Sequence, residues 1–214
     1  MAEKQDPPAP QGPVLVCGGA GYIGSHTVRA LQRLNVPTVV LDNLSTGHRE
    51  LVQGPFEEVD LGDAAGVAQV FEKHRPRAVM HFAAKCYVGE SVDEPAKYWR
   101  ENVTYTLGLL EAMRAAECKE FVFSSTCATY GEPVEVPMTE DHPQNPINPY
   151  GRTKLVIEHM LSDFAHAYGL RYAALRYFNA AGASPDGGIG EDHEPETHLI
   201  PLVFQVAQGK REHI

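Results

Sequence analysis

The sequence predicts an α/β domain built on a doubly wound parallel sheet, and three observations carry that prediction. Short β-branched runs alternate with longer amphipathic stretches, the strand-like runs are too apolar to face water, and polar residues gather just after them. Such alternation joins parallel strands by crossover helices and covers the sheet on both faces. Residues 1–12, with Pro7, Pro8 and Pro10 and no apolar periodicity, are expected to form a disordered tail. The domain proper is expected over 13–176. Its strands fall near 13–17, 38–42, 56–60, 77–82, 119–124 and 171–176, and its helices near 22–34, 63–74, 96–116 and 150–168. Long stretches rich in Pro, Gly and Asn follow strands five and six, at 127–149 and 177–197. In this architecture ligands bind at the C-terminal ends of the strands, so these loops lie on the functional edge.

The first turn carries the clearest chemistry. Gly18-Gly19-Ala20-Gly21-Tyr22-Ile23-Gly24 follows strand one and opens a helix, and Asp42 closes strand two. Missing Cβ atoms at Gly18, Gly21 and Gly24 let the backbone turn tightly against a pyrophosphate seated on helix N–H groups. Asp42 can accept hydrogen bonds from an adenosine ribose and would repel a 2′-phosphate, which favours NAD over NADP. A glycine-rich turn can also exist only to let a strand and helix pack; the strand before it, the helix after it and the acid at the next strand end satisfy the motif's context. The domain is therefore expected to be Rossmann-like.

Composition narrows the classes. The 214 residues suffice for one large core, and hydrophobic and charged contents of 43% and 21% are those of a soluble globular chain. A formal charge of −10 spread along the chain argues against nucleic acid or an anionic membrane as partner. With neither a membrane-spanning run nor a secretory leader, the cytoplasm is the expected compartment. Cys17, Cys86, Cys118 and Cys127 lack Cys-x-x-Cys spacing and are expected to be reduced, buried thiols. His193 and His198 flank an acid-rich loop without the spacing of a zinc site, so no metal is expected.

Tyr150 and Lys154 stand one helical turn apart, on one face of the helix opened by Pro149. An ammonium beside a phenol favours the phenolate and makes a general base. The plain alternative is a surface tyrosine packed on a lysine stem. Thr126, at the end of strand five, adds a hydroxyl where a substrate oxygen would lie.

With this set in view, the chain from residue 13 onward resembles the extended short-chain dehydrogenase/reductase superfamily and, within it, the UDP-glucose (UDP-galactose) 4-epimerase family. The segments that carry the likeness are Gly-Gly-Ala-Gly-Tyr-Ile-Gly-Ser-His-Thr (18–27), Leu-Asp-Asn-Leu-Ser-Thr-Gly (41–47), Val-Gly-Glu-Ser-Val (88–92), Phe-Ser-Ser-Thr (123–126), Leu-Arg-Tyr-Phe-Asn-Ala-Ala-Gly-Ala (175–183) and Gly190-Glu191-Asp192. The resemblance implies NAD-dependent epimerisation at C4 of a UDP-hexose through a 4-keto sugar, with Thr126, Tyr150 and Lys154 as the catalytic residues. It implies an NAD site formed by Gly18, Gly21, Tyr22, Ile23, Gly24, Asp42, Asn43, Asp60, Leu61, Phe82, Ala83, Ala84, Asn102, Tyr150, Lys154 and Tyr177. It places Thr126, Tyr150, Phe178, Asn179, His198 and Leu199 on the UDP-sugar.

Two positions depart from the pattern of some members. Lys85 sits one residue short of a cofactor lysine whose place Cys86 takes, and His198 stands where an amide is found. The chain stops at Ile214, where a family member would enter its substrate domain, so residues 177–214 are expected to be the start of a truncated substrate region with most of that domain absent. A homodimer through the two long helices is expected, with Leu107, Leu110, Val156 and Leu161 on the seam or, equally, on the sheet. Two other readings remain. A sugar-nucleotide dehydratase would carry an acid pair directly after the strand-five threonine, where Cys127-Ala128 stands. A non-catalytic NAD-binding domain would bind the cofactor without turnover.

Overall fold

The computed structural model describes residues 12–193, 196 and 198–214. Of the expected tail, residues 1–11 lie outside the described residues. Six parallel strands form one sheet in the order β3-β2-β1-β4-β5-β6: β1 (Val14–Cys17), β2 (Thr38–Asp42), β3 (Phe56–Glu58), β4 (Ala78–His81), β5 (Glu120–Ser124) and β6 (Arg171–Leu175). The order reverses between β1 and β4, which opens a crevice at their C-terminal ends. All six expected strands are present, trimmed by a residue or two at their ends.

Helices α1 (Tyr22–Arg33), α2 (Ala64–His74), α5 (Tyr105–Ala115) and α6 (Pro149–Tyr168) connect them. The expected helix over 96–116 is composite: α4 (Pro95–Tyr98) passes through a π-helical turn, Trp99–Thr104, into α5. Sequence periodicity did not anticipate α3 (Val88–Asp93) or α7 (Leu199–Ala207). The helix ends follow from capping. Asp63 Oδ1 accepts from Gly66 N at 3.0 Å before α2, and Asn148 Oδ1 accepts from Gly151 N at 2.8 Å before α6, whose far end is closed by Gly169 at φ 73°.

Two apolar layers hold the sheet. Leu15, Cys17, Val39, Leu41, Phe121 and Phe123 pack against residues of α2, α5 and α6 such as Phe71, Leu109 and Ile157. Val14, Val16 and Val40 pack on the opposite face with Val28 of α1. Strands β1 and β2 are buried at every position, as expected for a doubly covered sheet. The expectation fails beyond them. In β4 and β5 burial alternates, with Ala78, Met80 and Val122 only half covered, and β6 is exposed except for half-buried Ala174. The face shared with α1 is therefore open at this end, although the strands read as equally apolar. Among the described residues no helix is long and apolar enough to cross a membrane.

Candidate active site

The glycine turn lies at the crevice between β1 and β4. Gly18, at φ +78°, allows close approach of the chain leaving β4: a Cβ there would meet Ala83 N at 2.5 Å. A Cβ on Gly24 would lie 2.0 Å from Gly18 O, so glycine is demanded by the turn itself. Gly21 differs, because its Cβ would meet only Gly18 O at 3.5 Å, an ordinary contact. Packing does not require glycine there. Gly21 is also the N-cap of α1, with no side-chain cap and no acidic residue in the first turn, so the helix end presents its N–H groups to an anion. Tyr22 and half-buried Ile23 stand in that first turn, the Tyr22 hydroxyl donating to Gly182 O at 2.6 Å.

One cleft collects much of the sequence-assigned set: Gly18, Gly21, Asp42, Asn43, Asp60 and Leu61 on one side, Phe82, Ala83 and Ala84 on the other. Asp42 is buried, its carboxylate accepting from Ala20 N at 3.0 Å and Leu44 N at 2.9 Å. It thus fixes the glycine turn as well as facing the cleft. Asn43 donates to Asp60 Oδ2, and Asp60 Oδ1 accepts from Gly62 N at 2.7 Å, which orders the β3 exit. Lys85, out of step with the family's cofactor lysine, nevertheless lines the cleft; Thr46, Glu101 and Tyr105 line it too and were missed, Glu101 and Tyr105 coming from the long helix, whose facing the sequence did not reveal. Asn102, assigned to the cofactor, is 1% exposed in the π-helical turn. Its amide accepts from Lys85 N at 2.8 Å and donates to Lys85 O at 3.0 Å and Thr153 Oγ1 at 3.2 Å, pinning the β4 exit to α6.

The β5 exit and the start of α6 assemble Thr126, Tyr150 and Lys154. Gly151 makes this possible, because a Cβ there would meet Ala128 O at 2.6 Å. Thr126 Oγ1 accepts from Ala128 N at 3.1 Å, and its hydroxyl, beside the Tyr150 oxygen, favours the phenolate. Lys154 is buried and donates to Ser124 O at 2.8 Å, with its Nζ 5.8 Å from the Tyr150 ring centre. The electrostatics differ from the expected depression of the phenol. Burial raises the Tyr150 pKa, aided by nearby Cys86 and opposed by the Thr126 hydrogen bond, and burial pulls the Lys154 ammonium down to about 8. Desolvation outweighs attraction because the lysine is anchored on a carbonyl instead of on the phenol. His81, beneath this pair, is pulled down to about 3 by burial and Lys154, and is bonded through Nε2 to Thr106 Oγ1 at 2.9 Å.

An ion pair between buried Glu158 and half-buried Arg176 stands behind the set. Glu158, one turn beyond Lys154, meets Arg176 Nη2 at 2.6 Å and accepts from Ser125 Oγ and from Gln144 Nε2 at 3.2 Å. Burial pushes the Glu158 carboxyl up, but Arg176, Ser125 and Gln144 hold it below its ordinary value. The pair ties the ends of β5, β6 and α6 together. Tyr177 follows Arg176, and its hydroxyl is paired with Ser124 Oγ.

Of the residues assigned to a sugar nucleotide, Thr126 and Tyr150 belong to this set, but the other four are not gathered with them. Phe178 is 58% and Leu199 65% exposed, Asn179 is exposed, and the side chain of His198 is half exposed beside Glu196. The expectation of four buried thiols holds for Cys17 and Cys118; Cys86 is exposed, near Tyr150, and Cys127 is half-buried.

The chain matches the model of the NAD dependent epimerase/dehydratase family over residues 14–214. It is 55% identical over 200 residues to the UDP-glucose 4-epimerase of Rhizobium leguminosarum bv. trifolii, covering 93% of this chain and 61% of that protein. The structure of UDP-glucose 4-epimerase from Brucella ovis in complex with NAD superposes with a TM-score of 0.93 at 56% identity, covering 95% of this chain and 63% of that one. The Thermotoga maritima UDP-glucose 4-epimerase with UDP-glucose gives 0.77 at 42% identity, covering 83% and 59%. The chain thus spans about three fifths of the length of these relatives.

Proposed function

This chain belongs to the NAD dependent epimerase/dehydratase family, and on that premise we propose that it carries the cofactor-binding and catalytic part of an NAD-dependent UDP-hexose 4-epimerase interconverting UDP-galactose and UDP-glucose. The observation that carries the reading is the presence of two features on the same C-terminal edge of the sheet: an uncapped α1 N-terminus behind a glycine that packing does not require, and the Thr126–Tyr150–Lys154 set. NAD fits the first. Its pyrophosphate would sit at Gly21, Tyr22 and Ile23, its adenosine ribose at Asp42 with Asn43, and its remaining length along Asp60, Leu61 and Phe82 to Ala84. Lys154, with Tyr150 and Tyr177, would hold the nicotinamide end. Bound NAD supplies a hydride acceptor and donor at C4, so the sugar passes through a 4-keto form.

Tyr150 takes the 4-hydroxyl proton and later returns it, and Thr126 donates to the oxygen that loses it. Lys154, pulled down to about 8 by burial, still carries its proton at neutral pH and would set a positive charge near the phenolate. The Glu158–Arg176 pair holds the strand ends that position all three. Residues 13–176 form the NAD-binding unit, and 177–214 begin the sugar-nucleotide region, with Phe178, Asn179, His198 and Leu199 toward the UDP-sugar. A cytoplasmic homodimer fits this reading: Trp99 and Leu107 expose apolar surface on the outer side of the long helix, whereas Leu110 and Leu161 are buried against the sheet.

A second reading, an NAD-binding domain without turnover, is favoured by the exposure of the sugar-nucleotide residues. Incubation with UDP-galactose and NAD, followed by assay of UDP-glucose, separates the two. Conversion that Tyr150→Phe abolishes supports the epimerase; bound NAD with no conversion selects the second reading.

A further inference from the structure

The segment after Ile189 folds two histidines and two glutamates onto one another. The ligand atoms of Glu191, His193, Glu196 and His198 all lie within 4.8 Å of one another. His198 Nδ1 stands 2.9 Å from both Glu191 Oε1 and Glu196 Oε1, yet a ring nitrogen carries at most one proton to donate. His193 Nδ1 is shielded from solvent, 3.6 Å from Glu191 Oε1, and has no hydrogen-bond partner. Both carboxylates are well shielded, at 10% exposure. Glu196 Oε1 also accepts from His198 N at 2.8 Å; the two carboxylates nevertheless crowd one imidazole beside a shielded ring nitrogen without a hydrogen-bond partner, an arrangement that a cation between them relieves.

We propose that Glu191, His193, Glu196 and His198 form a binding site for a divalent ion of the zinc type. Imidazole nitrogen with carboxylate oxygen suits zinc or cobalt, whereas calcium and magnesium take oxygen ligands. Ligand atoms about 3.4 Å apart would surround a tetrahedral ion with bonds of about 2.0–2.1 Å, within the spread seen here. Four protein ligands close the site, which makes it structural and not catalytic. The ion would staple the segment at Glu191 to His198, the N-cap of α7. The spacing Glu-x-His-x-x-Glu-x-His is neither of the usual zinc patterns, which is why the sequence pointed away from a metal. The inference does not depend on the epimerase reading. Coordination through Nδ1 leaves Nε2 of His198 for a sugar nucleotide, so both can hold together.

Cobalt(II) alone is the probe, titrated into the 214-residue chain and read by visible absorption and by equilibrium dialysis. The site predicts one cobalt per chain, ligand-field bands without a sulfur-to-cobalt charge-transfer band, and displacement by zinc. His193→Ala and Glu196→Gln should each weaken binding at least about tenfold, with far-ultraviolet circular dichroism unchanged because both lie outside the sheet. Absence of binding, equal binding in both variants, or a charge-transfer band assigning the metal to Cys86 or Cys127 would overturn the proposal.

Discussion

At one end of the crevice, β1 and β2 are buried at every position and the glycine turn is locked between Val40, Ala83 and Asp42. At the other, β6 is exposed at four of its five positions, and α7 buries none of its residues despite Leu199, Ile200, Val203 and Phe204. The first region builds the proposed dinucleotide seat out of its own core, so that seat comes with folding. The second displays the residues proposed to recognise a sugar nucleotide on an unsupported surface. Cofactor binding and sugar-nucleotide recognition should therefore respond separately to mutation, and the contrast can be attacked from both ends.

The largest effect is expected at the catalytic phenol. Tyr150→Phe should lower turnover by about 10²–10⁴-fold, the ordinary value of a general acid–base group, while bound NAD stays unchanged; a joint loss would mean that the reacting group and the cofactor seat are not separable. Next comes the ion pair behind it. Glu158→Gln leaves half-buried Arg176 without its carboxylate and should cost about 1.5–3 kcal/mol in denaturant unfolding, more than any change at the open edge.

The two glycines make a sharper test. Gly24→Ala meets backbone at 2.0 Å and should destabilise by roughly 1–3 kcal/mol. Gly21→Ala should cost about 1 kcal/mol or less as an N-cap change and act chiefly on NAD affinity. Similar stability losses for both would remove the reason to read Gly21 as a ligand-facing position.

Lys154 gives a pH signature. Its pKa falls from 10.5 to about 8 on folding, so the folded chain binds fewer protons than the unfolded one and this group's contribution to stability rises as pH climbs through that window. Lys154→Met removes the buried ammonium. Its thermal stability relative to the parent should therefore be most favourable below pH 8 and decline toward pH 10.5, with activity lost throughout. The smallest effect belongs to the open edge: Phe178→Ala should change unfolding free energy by less than about 0.5 kcal/mol but weaken UDP-sugar binding.

Much of this was legible in the sequence because its signals are local. Alternating apolar runs marked six strands, the glycine motif marked the turn that opens α1, and the shared helix of Tyr150 and Lys154 followed from helical spacing. What escaped depends on contacts distant in sequence. Ala173 and Val40 both belong to apolar runs, but only the latter has a layer above it, and covering layers leave no trace in a strand's own residues. Glu158 and Arg176 lie on different elements, and the Lys154 bond to Ser124 O turns on where a strand ends. The cluster of Glu191, His193, Glu196 and His198 has no helical or strand spacing in the sequence, so periodicity carries no information about it.

The central claim is that the dinucleotide site is complete within these residues while the sugar-nucleotide site is not self-supporting. Isothermal titration of the chain with NAD, and separately with UDP-glucose, tests it most directly. The account predicts one NAD per chain, weakened by Gly21→Ala, and UDP-glucose binding at least tenfold weaker than that of NAD. Tight UDP-glucose binding in a chain that takes up no NAD would contradict it.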